Sequence, residues 1–267
     1  MINELEALVL KYNSIAMEYL KLENYKDSQT LLKKAEEILN SDEHEIIPNR
    51  LKLMGITLNN LGCYYKRKKQ PKVALTFLQR ALEVELQTES DNVNLAGSHL
   101  NICAVYSSLS RHKEALGHAR QALTLLEGVK DDENYSFEKT VTMLTSLVIT
   151  YFNVGVELEH LKKYTESHGY YQSGYELAYK ELGTRHPLTI SLLDASQKMN
   201  LKAKSFERVS KSNIRDGRSN ARIMKTGDSY RLPSVGRTRK SEHVVQFKNR
   251  LATAYEKLRD MTFQAPI

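Results

Sequence analysis

An all-α solenoid is the fold class that this sequence predicts: four helix hairpins in series, then a capping helix. Two observations carry that reading. Small residues recur four times at fixed spacing, and apolar residues between them recur at intervals of three and four, the period of one helix face. Ala16, Gly62, Cys103 and Gly155 each follow a large apolar residue (Ile15, Leu61, Ile102, Val154). Twelve residues further on stand Ser28, Ala74, Ala115 and Ser167, and seven beyond those Ala35, Ala81, Ala122 and Gly174. Tyr19, Tyr65, Tyr106 and Leu158 lie three after the first small position. Small residues in register let two helix backbones approach closely, and large neighbours fill the gaps.

The elements follow in order. First helices are predicted over about 9–22, 55–68, 94–109 and 137–161, and second helices over about 25–40, 71–88, 112–127 and 164–182. The whole hairpins thus cover about 9–40, 55–88, 94–127 and 137–182. Turns at Glu23–Tyr25, Lys69–Pro71, Ser110–His112 and Lys162–Tyr164 are as short as antiparallel helix pairs require. Pro71 suits the first turn of its helix, where a missing N–H is harmless. The repeats step by 46, 41 and 52 residues, which makes this an uneven array. Gly183 is placed to cap the last hairpin, and Pro187 prevents that helix from continuing. Residues 187–208 then read as an amphipathic helix closing the open end of a 1–209 domain. Residues 210–241 form a basic linker with too few large apolar side chains to fold alone, and 242–262 regain helical spacing.

Composition narrows the function classes. The chain has 12 glycines, 5 prolines, no tryptophan and 27% charged residues, as expected of a soluble helical protein. No run of about eighteen apolar residues is present and the first residues lack a secretory pattern, so no membrane association is expected. Cys63 and Cys103, on equivalent helices, are expected as buried reduced thiols in a cytoplasmic protein. Thirteen Lys/Arg against three acidic residues lie between Lys198 and Lys240, a local excess of ten. Since the whole chain carries +7, the rest sums to −3: a mildly acidic body with a basic arm.

The pattern Leu61-Gly62…Tyr65…Ala74…Ala81, with Ile102-Cys103…Tyr106…Ala115…Ala122 close behind, resembles the tetratricopeptide repeat. Repeats longer than forty residues, recurrent asparagines in the first helices, and Leu182-Gly183-Thr184-Arg185-His186-Pro187-Leu188-Thr189 are similar to the kinesin-light-chain kind. The aromatic position of the first helix holds Tyr12, Leu58, His99 and Tyr151, never tryptophan. The resemblance implies a right-handed solenoid whose first helices line a concave groove for an extended peptide or helix. It further implies groove asparagines that bind the backbone of that peptide.

Asn60, Asn101 and Asn153 share one position in successive first helices, with Ser14 there in the first repeat. An amide both donates and accepts, so such a row suits a peptide backbone; the structural alternative is an amide that bonds its own inter-helix loop. Asn13, Asn59, Lys66, Arg67 and Ser107 are neighbouring groove candidates. In the basic arm, Arg215, Arg218, Arg222, Lys225, Arg231, Arg237, Arg239 and Lys240 would attract an acidic surface such as tubulin tails. Val244, Phe247, Leu251, Tyr255 and Leu258 mark the docking face of the terminal helix. The eight histidines are scattered and read as solvated surface residues; no metal, cofactor or catalytic motif is expected.

These readings converge on a non-enzymatic protein–protein scaffold or adaptor within a larger complex, with a cytoskeletal or ciliary (axonemal) setting favoured by the kinesin-light-chain resemblance. An RNA-associated repeat protein is one alternative, since a basic arm attracts any polyanion, although nucleic acid is the lesser candidate because aromatics for base stacking are scarce there. An accessory subunit of an enzyme complex is the other.

Overall fold

The computed structural model describes residues 4–41, 47, 49–88, 90–129 and 136–215. Among these residues it contains nine α-helices and no strand: α1 (Glu4–Lys21), α2 (Tyr25–Asn40), α3 (Arg50–Arg67), α4 (Pro71–Gln87), α5 (Asn92–Ser108), α6 (His112–Glu127), α7 (Phe137–His160), α8 (Tyr164–Glu181) and α9 (Pro187–Arg215). Each helix packs on the next, and α1, α3, α5, α7 and α9 also form a series along one side. That is the layered arrangement of a solenoid, in which each hairpin touches only its neighbours. Three first helices begin earlier than the periodicity suggested, at Glu4, Arg50 and Asn92. Their first turns are more polar, and that of α5 is set by a cap: Asp91 Oδ1 accepts from the Val93 and Asn94 amides at 2.9 and 3.2 Å.

All twelve small residues of the repeat pattern are buried. The four on the first helices meet partners of complementary size on the second helix of the same hairpin. A side chain built on Gly62 would place its Cβ 2.5 Å from Leu78, and one on Gly155 would lie 2.5 Å from the Tyr171 ring. In the other hairpins Ala16 shares a core with Leu32, and Cys103 with Ala119. The bulkiest second-helix residue of the four, Tyr171, therefore lies over a glycine, and the smallest, Ala119, accompanies a cysteine. Volume is conserved across the pair while its members vary, as close packing demands.

The four turns are built alike. Glu23, Lys69, Ser110 and Lys162 all adopt φ between 56° and 60°. Each donates its N–H to a carbonyl three residues back, and the following residue donates to one five back (Tyr19, Tyr65, Tyr106 or Leu158). This is the Schellman closure of a helix C-terminus, here without the glycine that usually occupies its left-handed residue. Gly183, with φ 87°, supplies that glycine only after α8. A left-handed residue bearing a Cβ carries a strain of about 1–2 kcal/mol, partly offset by its smaller loss of chain entropy on folding. Ser110→Gly should accordingly raise stability by about 0.5–1 kcal/mol, read as an increased urea midpoint at unchanged slope.

Residues 138–160 of α7 are long and apolar enough to cross a membrane by length and composition. In the fold this helix is a core element: Met143, Leu147, Val148, Val154 and Leu158 are each at most 2% exposed, between α5, α6, α8 and α9. The last helix, α9, runs on to Arg215 and so takes in the first residues of the basic stretch. Arg218, Arg222, Lys225, Arg231, Arg237, Arg239, Lys240 and the terminal 242–262 segment lie outside the described residues.

Candidate functional site

The asparagines of the first helices meet, but along a diagonal and not a row. Asn13 is buried (3% exposed); its Nδ2 donates to Thr57 Oγ1 at 2.9 Å and to the Val9 carbonyl at 3.0 Å. Its Oδ1 accepts from Asn60 Nδ2 at 2.9 Å. One repeat further along, Asn59 Oδ1 accepts from Asn101 Nδ2 at 3.0 Å. Each rung joins one helix position in a repeat to the following position in the next. By that rule Asn153 should pair with residue 100, which is Leu100 and offers no acceptor. Asn153 is half-buried, and no hydrogen bond of its side chain is found among the described residues. The amides bond neither their own loops nor, in four of five cases, only solvent: they tie adjacent hairpins together.

The remaining groove candidates sit at the turn end of the first helices. Lys66 and Ser107 are half-buried, Arg67 is exposed, and neither Lys66 nor Arg67 forms an ion pair among the described residues. Toward the fourth repeat the same face becomes apolar: Leu100, Ala104, Phe152 and Val156 are half-buried, with Phe152 and Val156 leaning on the α7–α9 core. The surface therefore grades from amides and cations in α1–α3 to aliphatic and aromatic groups in α7.

The expectation of solvated histidines needs correction. His99 Nδ1 and His118 Nδ1 approach to 2.9 Å, and His118 stacks on Tyr106. His112 Nδ1 lies 2.8 Å from Glu157 Oε2, a carboxylate only 2% exposed, while the His160 ring stacks on His112 at 4.1 Å. His168 approaches the Ser196 carbonyl at 3.0 Å. These pairs join residues on different helices, so no local motif announces them. Cys103 is buried nearby, and burial together with the Glu157 charge pushes its thiol up to about 12. The thiol is thus kept protonated and is no nucleophile. Among the described residues no cluster of three or more histidine, cysteine or acidic side chains is arranged to hold a metal ion.

The His99–His118 pair gives the fold an acid dependence. Burial, then the adjacent His118 ring, lowers the His99 imidazole from 6.5 to about 4, and burial also lowers His118. One Nδ1 must accept from the other, so protonating both removes the bond. The unfolded chain then binds more protons than the folded one below the ordinary value, and stability present above pH 6.5 is lost as pH falls toward 4. His99→Leu, which copies Leu58 of the second repeat, should flatten the loss of melting temperature between pH 7 and pH 5. An unchanged slope in that variant would place the acid sensitivity elsewhere.

Residues 53–128 match the family model described as Tetratricopeptide repeat. The crystal structure of BtubC (BKLC) from P. vanneervenii superposes with a TM-score of 0.62 at 16% identity, over 89% of each chain. A putative kinesin light chain from Podosopora anserina, with nearly identical TPR-like repeats, gives 0.57 at 12% identity over 80% of this chain and 97% of that one. Pseudomonas aeruginosa pilF gives 0.54 at 16% identity over 97% of this chain and 88% of its own. No match is found among curated proteins. At such identities the likeness is one of fold.

Proposed function

We propose that this chain, an all-α solenoid of tetratricopeptide repeats, is a non-enzymatic adaptor that holds segments of partner proteins along α1, α3, α5 and α7 and through its basic arm. The observation that carries this reading is the graded inner face: an open amide at Asn153, unpaired cations at Lys66 and Arg67, Ser107 between them, and apolar side chains at Leu100, Phe152 and Val156. Such a surface suits an extended segment that offers backbone groups and acidic side chains at one end and apolar side chains at the other. Asn13, Asn59, Asn60 and Asn101 fix the shape of that surface through their bonds between hairpins.

The setting we favour is a cytoskeletal or axonemal assembly in the cytoplasm, supported by likeness in fold to a kinesin light chain and by a basic arm suited to acidic tubulin tails. The test uses the full chain in cross-linking mass spectrometry from cells. Lys66→Glu/Arg67→Glu/Asn153→Leu should abolish cross-links from α3–α7 to partner proteins while the melting temperature stays within a few degrees. Unchanged partners in that variant would overturn the groove reading. For the arm, binding to a tubulin-tail peptide should exceed binding to an RNA of equal charge at the same salt; the reverse order would establish the RNA-associated reading instead.

A further inference from the structure

The last helix closes the array on one side only. Its buried ridge is Thr189, Leu192, Ser196, Met199 and Ala203. A side chain built on Gly174 of α8 would meet both Tyr151 of α7 and Leu192 of α9 within 3.0 Å. Leu192 and Tyr151 thus both close on one glycine of α8, and α9 packs on α8 where the first helix of a further repeat would lie. In α1 the face turned toward the next repeat, at Asn13, is covered by that repeat through Thr57 and Asn60. Over α9 no described residue follows. Ile190, Leu193 and Leu201 are 57%, 37% and 71% exposed, on one stripe with Gln197 between them. A solenoid end of this kind needs a cover.

We propose that residues 242–261 of the same chain are that cover, lying against α9 through Val244, Phe247, Leu251, Tyr255 and Leu258. Their apolar spacing is that of one helix face, the complement of the α9 stripe. The 26 intervening residues, 216–241, reach at most about 85–95 Å when extended. The 29-residue α9 is only about 43 Å long, so every point on it is within reach. Tethering also presents the segment at an effective concentration on the order of millimolar, ahead of any second copy at ordinary protein levels.

Hydrogen exchange on the full chain tests this. Phe247→Glu/Leu251→Glu should speed exchange of the α9 amides between 190 and 201 by roughly tenfold. Reciprocally, Leu193→Glu/Leu201→Glu, placed at exposed sites that leave the core intact, should speed exchange across 242–261. Exchange unaltered in both variants would overturn the proposal. So would protection that grows with protein concentration, which would assign the stripe to a second copy, or protection that appears only when another protein is added.

Discussion

Gly155→Ala is expected to lower stability by about 1–3 kcal/mol, although alanine is the better helix former. The new methyl group would lie 2.5–2.9 Å from three atoms of the Tyr171 ring, which is itself 1% exposed and has nowhere to move. The pairing of sizes seen across the repeats supplies the control. Ala16 and Leu32 share the first-repeat core, so Gly155→Ala/Tyr171→Leu recreates that pair in the fourth and should recover most of the loss. Thermal or urea melts of the single and double variants measure the coupling. If the two changes simply add, the two residues do not share one space and the register of the fourth hairpin is wrong.

Asn13→Ala should cost about 1–3 kcal/mol, because it strips a buried donor and acceptor at once. Asn60 Nδ2 loses its acceptor, and Thr57 Oγ1 loses the amide donor that faced it. Asn153→Ala, at the end of the same series, should change stability by no more than about 0.5 kcal/mol. A paired comparison of melting therefore separates amides that build the array from the amide left open to a partner. Equal effects at Asn13 and Asn153 would contradict the diagonal pairing.

Much of the fold was legible because it rests on local periodicity. The small residues at Ala16 through Gly174 stated the register of every hairpin, and the four left-handed turn residues repeat the same steps of 46, 41 and 52. The turn chemistry was less legible: Glu23, Lys69, Ser110 and Lys162 are not residues that announce a left-handed backbone, and only the carbonyls five residues back explain them. At the candidate site, the asparagines were visible as a set, but their partners were not. A rung joins residues 42 or 47 positions apart, set by how far one hairpin is offset from the next. The histidine pairs were invisible for the same reason, since His112 finds Glu157 forty-five residues away.

Where the diagonal of amides stops has a mechanical consequence. The joints between the first and second and between the second and third hairpins carry a directional bond across their first helices, which resists twisting as well as separation. At the third joint Leu100 stands in for the acceptor, and an aliphatic contact resists separation but slides at little expense. The directional bonds of this joint run from its second helix instead, His112 of α6 to Glu157 of α7 and Tyr151 OH of α7 to Glu127 of α6, so the joint is pinned at α6 while its first-helix face is free to adjust. A partner seated along the inner face would feel two stiff repeats at one end and an adjustable jaw at the other.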